Sequence, residues 1–159
     1  MENEAPEIII RPIEPIEYEA AGELITPSLG EYDAYDHDTD TSDLAPDRME
    51  DLYEEPKGRF WVAEAEGSIV GTLALRRVDD RSCRLKRLAV HPDYRRYDVT
   101  RKLFDAFETY AREAGYRRML AEATVRQKPA TVFLETSGFE EFKRTLRNKN
   151  IVITLEKSL

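Results

Sequence analysis

Chemistry-bearing residues cluster most densely in "YRRYDVTRKLF", Tyr94 to Phe104. The cations Arg95, Arg96, Arg101 and Lys102 stand where a strand-like run, "RLKRLAV", gives way to a long amphipathic pattern. The first N–H groups of a helix have no partner within it and the helix dipole is positive there, so such a junction suits an anionic ligand, phosphate above all. Phosphate-cradling loops usually carry glycine so that the backbone can come close, and this stretch has none. Asp98 stands at the junction instead, a residue type that caps helices and tolerates left-handed backbone. Elsewhere reactive side chains are sparse. His37 and His91 are scattered without ligand spacing, which predicts no metal site. The single cysteine, Cys83, excludes an intrachain disulfide and a cysteine metal cluster, and reads as a small residue within a strand.

These groups must be positioned by elements that the hydrophobic period makes visible. "EIIIRP" (7–12) reads as a first strand, and "IEYEAAGELITPSL" has helical spacing at Ile16, Ala20 and Leu24 with Pro27 as a stop. From Glu31 to Glu55 runs an acidic stretch whose first half is loop-like and whose second half reads as a helix capped by Asp43 or Asp47. "RFWVAEAEGSIVGTLALRRV" alternates on both sides of Glu66-Gly67 as a β-hairpin, and a second hairpin passes through Asp79-Asp80 into "SCRLKRLAV". There, strict alternation puts Leu88 and Val90 on one face and Cys83, Leu85, Arg87 and Ala89 on the other. In "DVTRKLFDAFETYAREAGY" the residues Val99, Leu103, Phe107, Tyr110 and Ala114 form a helical stripe that Phe104 and Ala111 widen, and Gly115 ends it. "RRMLAEATV" is a strand, "KPATVFLETSG" a short helix with Pro129 in its first turn, and "FEEFKRTLR" with "NIVITLEKS" a terminal hairpin turning near Asn148 to Asn150. The order β-α-α-β-β-β-α-β-α-β-β implies an α/β (α+β) fold, helices packed on a mixed sheet.

At 159 residues, without repeat or linker, the chain fits one domain over 1–159. Its 41% hydrophobic content is that of a soluble globular protein, and no apolar run approaches the roughly 20 residues of a membrane helix. The acidic N-terminus "MENEAPE" lacks the apolar core of a signal peptide, so the expected location is cytoplasmic, away from any membrane. A net charge of −8 argues against nucleic acid as a partner, because nonspecific affinity for it comes from neutralising phosphates.

At "LAVHPDYRRYDVTRKLFDAFETYAREAGYRRMLAEATVRQKPATVFLETSGFEE" the sequence resembles the GNAT acetyltransferase superfamily. The pattern L-A-V-x-P-x-Y-R, the helix, "GY", the following strand and E-x-x-G-F-E occur together at the family's spacings, and the element order above is the family's over the whole chain. The resemblance implies a GNAT-like mixed sheet of about seven strands with flanking helices. It also implies acetyl-coenzyme A as co-substrate, held where the fourth and fifth strands splay apart. Its pantetheine arm would pair with the backbone of Leu88, Ala89 and Val90. Its diphosphate would lie on the loop and helix start formed by Arg95, Arg96, Tyr97, Asp98, Val99, Thr100 and Arg101, and Gln127 stands where the family often has an asparagine contacting the coenzyme arm.

Glu122 resembles the glutamate that serves as general base in peptide-acetylating members; its alternative role is a strand carboxylate paired with Arg126 or Arg87. Two departures stand out. The loop's usual small residues are replaced by Asp98 and Thr100, and the tyrosine that often serves as general acid is replaced by Leu134. The acceptor would be a small-molecule or peptide amine, the acidic stretch with Tyr32, Tyr35 and Tyr53 lies where the acceptor site is shaped, and a homodimer is a further expectation. Two readings therefore stand on the sequence: an N-acetyltransferase acting on a primary amine, and a GNAT-fold binding or regulatory module whose coenzyme binding is weak or lost.

Overall fold

In the computed structural model, residues 5–29 and 40–159 are described. The first half of the acidic stretch, with Tyr32, Tyr35 and His37, lies outside them. The strands are β1 (Ile9–Pro12), β2 (Gly58–Ala65), β3 (Ser68–Arg77), β4 (Ser82–Val90), β5 (Arg118–Thr124), β6 (Glu140–Arg147) and β7 (Asn150–Ser158); the helices are α1 (Tyr18–Ile25), α2 (Pro46–Tyr53), α3 (Val99–Glu113) and α4 (Lys128–Thr136). They follow the order read from the sequence. The seven strands form one sheet in the order β1-β2-β3-β4-β5-β7-β6, in which β4 and β5 pair in parallel and the other neighbours antiparallel. Among the described residues no helix is long and apolar enough to cross a membrane.

Alternation along β2 feeds two cores. Trp61, Ala63 and Ala65 pack with the buried stripe of α3, while Phe60 and Val62 pack with Tyr18, Ala21 and Ile25 of α1 and with Met49 and Tyr53 of α2. Most of the expected α3 stripe is buried, Val99, Leu103, Phe104, Phe107 and Ala111, but Tyr110 is half-buried and Ala114, at the helix C-cap, is exposed; the larger buried side chains stabilise the fold by about 1.5–3 kcal/mol each. Gly115, at φ +90°, ends it as expected. In both tight hairpins the two turn residues have positive φ, Glu66-Gly67 and Asn148-Lys149, which matches the right-handed twist of the strands they join.

Three expectations are corrected. In α1 the buried face is Tyr18, Ala21 and Ile25, and Ile16 is 88% exposed before the helix begins; two stripes overlap in this segment, and the one carrying the larger aromatic surface turns inward. Neither Asp43 nor Asp47 caps α2, whose N-cap is Ala45 with Pro46 at the first position; Asp43 is buried and engaged elsewhere. In β4 the alternation breaks at Arg87, a non-glycine residue at φ +56°, where the register with β3 slips between Thr72 and Ala74. The inserted residue is a β-bulge, so Cys83 and Leu85 share the α3-side core with Leu88 and Val90, and Ala89 faces the α1/α2 side.

Candidate functional site

The parallel ladder of β4 and β5 is short. It joins Ser82 with Arg118, Cys83 with Met119 and Arg84 with Leu120, while β4 runs on to Val90 and β5 to Thr124. A wedge opens between them beyond that point. Val90 lies opposite Gly71, and the His91 N–H donates to the Val70 carbonyl at 2.8 Å, the pattern of a pair whose own peptide groups turn away from the partner strand. The Val90 N–H and C=O thus face the wedge. The bulge at Arg87 sets this phase, since without the extra residue the next peptide along would occupy that place.

At the end of β4 the chain enters a 3₁₀ turn, Pro92–Tyr97, and then α3. His91 takes a structural role: its Nδ1 accepts from the Asp93 N–H at 3.1 Å, and its ring packs edge-on against Tyr94. Asp98 adopts left-handed backbone, φ 61° and ψ 28°, the conformation that the family's small residue would supply without cost. Its carboxylate makes no capping bond to α3 and is exposed, so the inward cap open to an aspartate there is not formed. The first regular helix bond runs from Lys102 N–H to the Asp98 carbonyl at 3.1 Å, which leaves the Val99, Thr100 and Arg101 N–H groups at the helix mouth without an acceptor in the helix. Val99 anchors this mouth to the sheet, so close to Gly71 that a Cβ there would lie 2.9 Å from a Val99 methyl.

The cations of the loop are partly committed. Arg95 Nε donates to the Val90 carbonyl at 3.1 Å, tying the loop back to the wedge. Arg96 stacks over Tyr97 at 4.7 Å. Arg101 turns toward α4, donating to Ser137 Oγ at 2.8 Å and lying 4.9 Å over the Phe133 ring. Gln127 is buried at the start of α4, where its Oε1 accepts from the Thr124 N–H and hydroxyl at 3.3 and 3.2 Å. Its side-chain carbonyl therefore closes the β5–α4 turn. Leu134 is buried in the α3-side core and offers no proton.

Glu122 lies on the other face of the sheet. Met119, Ala121 and Ala123 point into the α3-side core, so the intervening carboxylate points to the α1/α2 side, where it is 16% exposed. Its partners are Arg147, which approaches both oxygens at 3.1 and 3.4 Å, and Arg84 at 3.4 Å. Neither is singled out by the sequence pattern, which offers Arg126 or Arg87. Arg84 is its neighbour across the β4–β5 ladder, and Arg147 reaches it across β7 from the last hairpin. The structure thus gathers Leu88 to Arg101 around the wedge and helix mouth and places Glu122 on the adjoining open face, with Gln127 behind the end of β5.

The mixed sheet is thus split between its two parallel central strands, with a helix N-terminus at the mouth of the split. The acetyltransferase (GNAT) family model matches residues 25–139, and the chain belongs to that family. A probable N-acetyltransferase, camello, of Xenopus tropicalis is 33% identical over 84 residues, covering 52% of this chain and 38% of that protein. The chain spans between 34% and 62% of the length of the curated relatives it matches. Among solved structures, an acetyltransferase from Streptococcus agalactiae superposes with a TM-score of 0.81 at 26% identity, over 96% of this chain and 98% of that one. The PaiA N-acetyltransferase of Thermoplasma acidophilum, solved in complex with coenzyme A, has the same fold, with a TM-score of 0.79 at 15% identity over 96% and 99% of the two chains.

Proposed function

We propose that this chain transfers an acetyl group from acetyl-coenzyme A to a primary amine. The observation that carries the reading is the wedge with the Val90 peptide groups turned into it, opening onto N–H groups at the start of α3 that have no acceptor within the helix. A pantetheine arm carries amides that add to a strand edge as a further strand would. Leu88, Ala89 and Val90 supply that edge. The residues from Arg95 to Arg101 supply helix-mouth donors and cations for the diphosphate. Family membership and the coenzyme bound by the Thermoplasma relative support the same assignment.

In the reaction, a neutral amine attacks the thioester carbon, the C–N bond forms, the C–S bond breaks and the thiolate departs. The amine must first lose a proton, and Glu122 is the candidate base, acting directly or through water. Arg84 and Arg147 beside it hold the carboxylate in place on that face of the sheet. Leu134 donates nothing, and a thiol with a pKa of roughly 8.5 leaves as an anion that water protonates.

Asp98 favours a second reading. An exposed carboxylate at the helix mouth opposes phosphate, as expected of a fold retained for binding after its transferase activity was lost. Thiol release from acetyl-coenzyme A, measured against amino acids, polyamines and peptide N-termini, decides between the two. The transferase reading predicts release that depends on one amine class and falls in Glu122→Gln with little change in coenzyme affinity. Absence of amine-dependent release across the panel supports the binding module.

A further inference from the structure

Among the described residues Arg87 is the largest fully buried side chain, 1% exposed. A buried guanidinium is tolerated only with close partners, and an apolar residue of similar volume would fill the same space at least as stably. Its placement therefore calls for a reason beyond packing. On one side, its carbonyl accepts from the buried Thr72 hydroxyl at 2.8 Å, which holds the bulge from β3. On the other, Nε donates to Asp43 at 3.0 Å, and Nη2 bonds both the second Asp43 oxygen and the Asp40 carbonyl. Asp43 also accepts from the Tyr53 hydroxyl at 2.7 Å, and the Tyr53 ring packs edge-on against Phe60.

The bulge that turns Val90 into the wedge is thus the same residue that grips the chain at Asp40 and Asp43 and, through Tyr53, the last turn of α2. Resting on the transferase reading above, we infer that Arg87, Asp43 and Tyr53 are positioning residues: they fix the 40–53 segment, as one wall of the acceptor side, against the strand that holds the thioester. The bidentate fork matters, because two bonds to one carboxylate set an orientation as well as a distance. The wall cannot shift along β4 without breaking them. Loss of the fork then affects how the acceptor is presented and leaves the coenzyme's own contacts in place.

Two mild variants test this. Arg87→Lys keeps the buried charge and loses the fork, and Tyr53→Phe removes one hydroxyl at nearly constant volume. The expected result in Arg87→Lys is amide exchange over residues 41–45 faster by about tenfold, with a cooperative melt retained. Acetyl-coenzyme A affinity stays within about threefold, while KM for the best amine of the panel rises about fivefold or more against a smaller change in kcat. Tyr53→Phe moves the same quantities in the same direction by less. Unchanged exchange and KM would overturn the inference, as would coenzyme affinity, KM and kcat all worsening in step with lost thermal stability. Failure of the unmodified protein to bind acetyl-coenzyme A would instead strike the transferase reading, and the exchange rates would still report whether the clamp holds the segment.

Discussion

Asp98→Asn isolates the charge that separates the two functional readings. Asparagine is nearly isosteric with aspartate and enters left-handed backbone as readily, so the φ of 61° at this position is kept and the helix mouth stays in place. Only the carboxylate's repulsion of the diphosphate is removed. At about 5 Å from one phosphate charge that repulsion is roughly 3 kcal/mol at an effective dielectric of 20 and about 0.8 kcal/mol in bulk water. Asp98 is exposed and makes no capping bond, so solvent screening places the effect toward the lower figure. Acetyl-coenzyme A should bind Asp98→Asn about 4- to 20-fold more tightly than the unmodified protein. The gain should shrink at 1 M salt, where the screening length is about 3 Å. Calorimetric titration of both proteins at low and high salt reads this directly. Equal or weaker binding by Asp98→Asn would show that the carboxylate does not face the diphosphate, and the electrostatic reasoning would fail.

Three further outcomes follow from the packing and the buried groups. Gly71→Ala places a methyl group 2.9 Å from Val99 and 3.1 Å from Leu103, so it should destabilise the fold by about 1–3 kcal/mol in chemical denaturation and weaken the seating of the α3 N-terminus. Burial alone would raise the Asp43 carboxyl, but the hydrogen bonds from Arg87 and Tyr53 outweigh it and hold it below the usual carboxylate range. A depressed folded value contributes stability above the unfolded pKa of about 3.9 and loses it as pH falls toward the folded value. Melting temperature should therefore drop below about pH 4, and the deficit of Asp43→Asn at neutral pH should narrow there; a deficit constant with pH would contradict the pairing. Burial pushes the Cys83 thiol up to about 12, so iodoacetamide at pH 8 should alkylate the folded protein on the order of a thousandfold more slowly than the unfolded chain, as mass spectrometry can follow.

Strong local patterns made much of the fold legible. The α3 stripe, the Gly115 stop and the tight hairpins are short-range features whose chemistry does not depend on what packs against them. The β4 bulge was not legible: "LKRLAV" breaks the period of two, but a strand in isolation does not say whether the break is an exposed cation or an inserted residue. Asp43 has the type and position of a helix cap, and a partner 44 residues away, Arg87, took its carboxylate instead. The partners of Glu122 depend on the register that carries β6 and β7 beside β5, which no local spacing encodes. The junction of strand end and helix start was legible from its setting, whereas it was not legible that Asp98 would leave α3 without a side-chain cap.

The central claim is that the wedge between β4 and β5 receives acetyl-coenzyme A. Amide exchange of the unmodified protein with and without millimolar acetyl-coenzyme A tests it most directly. Slowed exchange is expected, confined to the Leu88–Val90 strand end and the Tyr97–Arg101 helix mouth. Saturating ligand with no protection at either place, or protection only elsewhere on the molecule, would contradict it.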